Sequence, residues 1–221
     1  MPRLFYDLFS PLPLPEEMRQ WDAGALALGL PEELLMENAA RAALDVLRVY
    51  WPELVGMRIW LLMGSGNNGG DAFEAAHRLR SYFVETCVVF IGDVARLPTD
   101  AAAAYRRFVD AGGTYRTTIP DDRRWSLIID GLFGIGLTRK ITGAAATLIE
   151  QANALAERDH CPLLALDCPS GLDAERGSCL GATIRASHTV SFIGGMDVPL
   201  IHKFACGYVG GAKSTGADVK V

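Results

Sequence analysis

Gly64-Ser65-Gly66-Asn67-Asn68-Gly69-Gly70-Asp71 is the stretch whose reading decides the fold. An apolar run, Ile59 to Met63, leads straight into it, and an alternating apolar-polar stretch, Ala72 to Phe83, follows. That order reads as strand, tight glycine loop, helix. Glycines allow positive φ and let a ligand approach bare backbone. A helix start presents unpaired N–H groups and a partial positive charge, which suits a phosphate. The stretch satisfies G-x-G-x-x-G through Gly64, Gly66 and Gly69, a pattern that alone singles out no ligand. Asn67 and Asn68 add amide donors and acceptors at positions that tolerate a left-handed backbone. Asp71 is suited to cap the helix. The plainer reading is a structural strand-to-helix turn with an Asp cap.

Working outward, the patterning alternates strands and helices, which argues an α/β fold with a mostly parallel sheet. Upstream, a helix is expected from Glu16. A second, opened by Pro31, carries the apolar stripe Leu34, Leu35, Ala39, Ala42, Ala43, Val46 and Leu47 and ends near Trp51-Pro52. Its small residues Ala39, Ala42 and Ala43 offer close contact with another helix, either within the chain or across a dimer. The buried strands are expected at Arg58–Met63, Thr86–Ile91, Ser126–Ile129, Leu163–Leu166 and Thr189–Ile193, with a short edge strand at Thr114–Thr118. Helices are expected over Asp100–Asp110 and Thr138–Glu157. A further short strand is placed near Tyr208-Val209. Asp93, at the end of the second strand, stands where a ribose ligand would lie, although a loop acid explains it as well.

Two more loops resemble the first in composition. Asp130-Gly131-Leu132-Phe133-Gly134-Ile135-Gly136-Leu137 and Asp167-Cys168-Pro169-Ser170-Gly171-Leu172-Asp173 each begin at a strand tip. Parallel strands joined by helices bring their C-terminal tips to one edge, so Asp71, Asp130 and Asp167 should converge on one crevice. Clustered carboxylates need a cation, a proton or hydrogen bonds. Asn68 and Ser170 can supply neutral oxygens to a hard cation beside Asp130. Alternatively, one Asp keeps a raised pKa and works as an acid or base.

The whole chain narrows the classes. Its 221 residues suit one α/β domain or two small ones, and a hydrophobic content of 50% with mean hydropathy +0.17 argues a packed core. A net charge of −5 and a pI near 5.4 argue against nucleic acid or an anionic membrane as the main partner. No apolar run reaches the about 18 residues a membrane span needs. The segment Met1 to Pro15 lacks a continuous apolar core, so it does not read as a secretory signal. The five cysteines show no C-x-x-C spacing and fit reduced thiols of a cytosolic protein without zinc. There is no G-x-x-x-x-G-K-[ST] and no G-x-S-x-G, and Cys168 reads as apolar filler rather than nucleophile.

Together, the motifs at 64–71, 130–139 and 167–173, with Met18-Arg19-Gln20-Trp21-Asp22 and Leu35-Met36-Glu37-Asn38-Ala39, resemble the YjeF N-terminal domain family from about residue 14 to about residue 193. The resemblance implies a Rossmann-like three-layer αβα sandwich, often dimeric. It also implies the activity of its NAD(P)H-hydrate epimerase members, isomerases that interconvert R and S forms of hydrated NADH and NADPH (NADHX and NADPHX). A partner dehydratase uses the S form; this chain is expected to be a single domain over 1–221, cytoplasmic, with any dehydratase a separate protein. By motif, Asn67, Asn68, Gly69, Gly70 and Asp71 would bind the hydrated dinucleotide. Gly134, Ile135, Gly136, Leu137, Thr138, Arg139 and Lys140 would wrap it, and Asp167 would contact it. Asn68, Asp130 and Ser170 would ligate a potassium ion, and Asp130 is the expected acid/base.

The chain departs from the family in three places. Ala72 stands where a further glycine is usual, which would narrow the pocket. Met196 and Asp197 replace a common Lys-Pro-Gly turn. The tail from about Gly194 matches poorly. Two competing functions are a non-catalytic binding module, which loss of the strand-tip aspartates would favour, and an NAD-dependent dehydrogenase. The latter needs a substrate-side His or Lys that is not evident.

Overall fold

Apolar, branched runs at Ile59–Met63, Leu127–Ile129 and Leu163–Leu166 form the central strands, which are buried on both faces. The computed structural model describes residues 14–119 and 124–192. In chain order these hold helix α1 (Pro15–Ala27), α2 (Glu32–Tyr50), strand β1 (Arg58–Met63), α3 (Asn67–Arg80), β2 (Glu85–Phe90), α4 (Thr99–Asp110), β3 (Tyr115–Arg116), β4 (Leu127–Gly131), α5 (Gly143–Asp159), β5 (Leu163–Leu166) and β6 (His188–Val190). The helix α1 belongs to one unit; everything from Glu32 to Phe192 forms another. The expected strand near Tyr208-Val209 and the departures at Met196 and Asp197 lie outside the described residues.

The six strands form one parallel sheet in the order β3-β2-β1-β4-β5-β6. This is the strand order of a doubly wound nucleotide-binding sheet, whose direction reverses between β1 and β4, and ligands lie outside the strand tips at that reversal. One face carries Ile59, Leu61, Met63, Val88, Phe90, Leu127 and Ile129, packed under α2, α3 and α4 through Leu44, Leu47, Phe73, Leu79 and Phe108. The other face carries Trp60, Leu62, Val89 and Ile128, packed under α5 through Leu148, Ile149, Ala152 and Leu155. The result is the expected three-layer sandwich. On the α5 side Trp60 and Trp125 stack at 5.1 Å with their planes 16° apart.

Several expectations shift. The helix α3 begins at Asn67, not Ala72, so the loop proper is only Gly64–Gly66. Its cap residue is Gly66, no side chain caps it, and Asp71 lies past the first turn. None of the four glycines in 64–71 has positive φ. Their reason is close approach. A Cβ on Gly64 would collide with the carbonyl oxygen of Leu132, and one on Gly69 with that of Gly64. Gly64→Ala is expected to lower the unfolding free energy by about 3 kcal/mol in urea denaturation, because backbone cannot rotate aside as a side chain does.

Packing settles further details. The inner face of α2 is Met36, Ala40, Ala43, Leu44 and Leu47, while Leu34 and Ala42 are exposed. The helix α5 starts at Gly143 because Ile141 is still extended, its N–H donating to the Leu180 carbonyl at 2.8 Å. Asp93 accepts the Ala95 N–H at 2.9 Å, capping a single 3-10 turn, so the loop-acid reading describes it. Ala72 is fully buried against β4: a Cβ on Gly131 would stand 2.5 Å from its methyl, which therefore points into the layer beneath the loop.

Candidate functional site

The tips of β1, β4 and β5 lie side by side, with Asp130 and Asp167 at two of them, while Asp71 lies in α3 past its first turn. Asp130 pairs in register with Leu62 on β1 and Ala165 on β5, at the centre of the sheet. Its carboxylate is fully buried. Oδ1 accepts the Leu132 N–H at 3.1 Å and the Ser170 hydroxyl at 2.7 Å; Oδ2 accepts the Ser170 N–H at 2.8 Å. Burial pushes the Asp130 carboxyl up to about 6, against the three hydrogen bonds that favour the anion. Ser170, also fully buried, links the two loops: its Oγ accepts the Phe133 N–H at 2.9 Å and lies 3.1 Å from the Phe133 carbonyl. No pattern in the sequence marked Leu132 and Phe133 for this role, since they contribute backbone groups only.

Asp167 is placed differently. It is half-buried and its φ is +63°. The Cys168 N–H donates to the Leu166 carbonyl at 2.7 Å, closing a three-residue turn around it. Such turns are rare and strained, and Asp is among the few residues that tolerate them. Strain of this kind gathers at functional sites. Asp167 Oδ2 accepts the Ile135 N–H at 2.8 Å. It also lies over Gly134, where a Cβ would collide with it and stand 3.4 Å from the Asn68 Cβ. Gly134 thus leaves a cradle of bare backbone that the Asp167 Oδ2 fills, beside the Asn68 Cβ.

Asn68 is buried in the first turn of α3, and its amide Oδ1 and Nδ2 have no hydrogen-bond partner among the described residues. An orphaned buried amide is costly unless a water, an ion or a ligand group satisfies it. Asn67, Gly136, Thr138, Arg139 and Lys140 are exposed around this centre; Ile135, Leu137 and Asp71 are half-buried. Gly69 and Gly70 are buried, pressed against neighbouring backbone and side chain.

Two nearby groups are structural. Asp173 accepts the Glu175 and Arg176 N–H groups at 3.0 Å each and an Arg176 guanidinium N–H at 3.1 Å. Those bonds, the Arg176 backbone first, hold its carboxyl below the usual range. Burial, then the charges of Asp167 and Asp130, push the Cys168 thiol up to about 12, so it carries no thiolate at neutral pH.

This fold and site define a doubly wound α/β protein, with a glycine-rich helix start and two aspartates at neighbouring strand tips beside the reversal of the sheet. Residues 32–195 match the family described as YjeF-related protein N-terminus, and the chain belongs to that family. It is 40% identical over 189 residues to an NAD(P)H-hydrate epimerase of Achromobacter xylosoxidans (strain A8), covering 84% of this chain and 88% of that one. To the NAD(P)H-hydrate epimerase of Bordetella pertussis (strain Tohama I) it is 43% identical over 164 residues, 72% of this chain and 69% of the relative. It also resembles the crystal structure of yeast ynu0, YNL200c, with a TM-score of 0.71 at 17% identity, covering 81% of this chain and 79% of that one, a likeness of fold. Among the described residues no helix is long and apolar enough to cross a membrane.

Proposed function

We propose that the chain is an NAD(P)H-hydrate epimerase, an isomerase interconverting the R and S forms of NADHX and NADPHX. The observation that carries this is the meeting of Asp167, Asn68 and Gly134 over the sheet reversal, in a chain whose relatives bear that name. The hydrate carries a hydroxyl on a ring carbon beside nitrogen. Protonating the hydroxyl lets the nitrogen lone pair expel it as water, leaving a planar cation. Water returning to the opposite face, with loss of a proton, inverts the centre. The step needs one group that gives and takes a proton, and negative charge near the cation.

Asp167 fits that task by geometry. It is half-exposed and aligned by the Ile135 N–H. The expectation of Asp130 as acid/base gains from its raised pKa, but its carboxylate is enclosed and meets three protein donors. We therefore assign Asp167 to the proton exchange and Asp130 to holding the loops and supplying charge. Asn67–Asp71 and Gly134–Lys140 bind the dinucleotide, its phosphates at the start of α3.

Asn68, Asp130 and Ser170 fit a potassium ion: the Asn68 amide oxygen, without a partner among the described residues, a carboxylate and a hydroxyl are the hard oxygen donors such an ion takes. When bound, the ion supplies a fixed positive charge that offsets the Asp130 carboxylate. The thermal midpoint is expected to rise in KCl over equimolar choline chloride, and the rise to vanish in Asn68→Ala. An equal rise in both proteins would remove Asn68 from the site. A homodimer, with Ala39 and Ala42 of α2 outward, a cytoplasmic setting and a separate dehydratase taking the S form complete the proposal.

The deciding assay adds the protein to S-NADHX and follows the R form by chromatography against the spontaneous rate, with potassium present. Rapid interconversion supports the epimerase. A rate equal to the spontaneous one overturns it.

A further inference from the structure

The stretch Leu35-Met36-Glu37-Asn38-Ala39 has no part in the chemistry above, yet it docks on the turn that carries Asn68. Met36 is 6% exposed on the inner face of α2. A Cβ on Gly70 would stand 2.5 Å from the Met36 Cε, 2.9 Å from its Sδ and 2.9 Å from the Ala101 Cα. The Met36 thioether and the α4 backbone therefore both close on the bare Cα of Gly70. One residue earlier, Gly69 lies against the Gly64 carbonyl. The first turn of α3 is thus wedged between its own loop, α2 and α4.

That wedge bears on Asn68. Among the described residues the side chain of Asn68 has no hydrogen bond to fix it, so the path of the turn sets where its amide lies. Methionine suits the wedge, because an unbranched, polarizable side chain fills an irregular gap against bare backbone. The next residue strengthens the docking: Glu37 stands 3.7 Å from Arg78 of α3. No group of Met36 is a donor or acceptor of consequence, so its action is mechanical and passes through the turn.

We infer that Met36 is a positioning residue, setting the Asn67–Gly70 turn and through it the Asn68 amide. The inference rests on the epimerase reading, and its test separates the two. In a double-mutant cycle, Met36→Ala is expected to lower kcat/KM for R/S interconversion on the order of tenfold, since sub-ångström misplacement of a site is costly. In an Asn68→Ala background the same change should cost less than about twofold, because the group it positions is gone. Met36→Leu should restore most of the rate in the wild-type background. A merely structural Met36 would lower kcat/KM by the same factor in both backgrounds, and that result overturns the inference.

Hydrogen exchange supplies the arm that does not depend on activity. Met36→Ala is expected to speed exchange of the amides at 67–71 while leaving β4 and β5 unchanged, and Met36→Leu to leave 67–71 as in the wild type. If the wild type proves inactive, this arm alone decides: local loosening keeps the positioning role, and unchanged exchange ends it. Should Met36→Ala fail to fold, Met36→Val carries the same cycle.

Discussion

Asp130→Ala is expected to abolish measurable epimerisation and to lower the unfolding free energy by about 3 kcal/mol at low pH, since it strands buried donors. The Leu132 N–H, the Ser170 N–H and the Ser170 hydroxyl all meet this carboxylate. Removing it leaves two backbone N–H groups without an acceptor and unties the β4 loop from the β5 loop. Asp130→Asn is no rescue. Its NH2 would face an N–H donor whichever way the amide turns. The pH dependence identifies the cause. The folded carboxyl titrates at about 6 and the unfolded one near its ordinary 3.8, so the folded state holds the proton more tightly. This contribution to stability is fully present below the unfolded value and is lost as the pH rises through about 6. In potassium-free buffer the stability gap between wild type and Asp130→Ala should therefore be widest below about pH 4 and narrow towards neutrality. A gap that widens with pH would mean that Asp130 is stabilised as an anion by its donors alone.

How far the sequence reveals this site depends on what kind of interaction builds each part. The strands are legible because burial on both faces demands continuous apolar runs, as in Ile59–Met63 and Leu163–Leu166. The meeting of Asp130 with Ser170 follows once both lie at adjacent parallel strand tips. The start of α3 does not follow. Asn67-Asn68-Gly69-Gly70 has poor helix propensity, and tertiary packing overrides it, because only glycine lets the turn press against Gly64 and Met36. The inner face of α2 is ambiguous for another reason. Leu34, Leu35, Ala39 and Ala42 form a second apolar stripe beside Met36, Ala40, Ala43 and Leu47, so periodicity alone fits either side. The backbone acceptors and donors at Leu132, Phe133 and Ile135 leave no trace at all, since any residue offers the same N–H.

The second large effect separates the two aspartates. Asp167→Asn is expected to fold with stability within about 0.5 kcal/mol of wild type and to lose kcat on the order of 10²–10⁴-fold. Asn tolerates the +63° φ as Asp does. Its carbonyl oxygen can still accept the Ile135 N–H that Oδ2 accepts now. The turn closed by the Cys168 N–H and the strand bond from the Asp167 N–H to the Val190 carbonyl involve backbone only and survive. What Asn cannot do is give and take a proton. KM should change little, because shape and hydrogen bonding at the cradle persist. Asp167→Ala is the contrasting case. It loses both the left-handed tolerance and the acceptor, so it should cost stability of about 1–2 kcal/mol along with the rate. If Asp167→Asn keeps the wild-type kcat, proton exchange does not pass through this residue, and Asp130 must reach the ring by an opening of the β4 loop. Such an opening would break the Ser170 contacts, and hydrogen exchange at the Phe133 amide would then rise on adding substrate. Under the assignment to Asp167 the same amide stays protected, because the ring is met from the cradle side and the loop has no need to move.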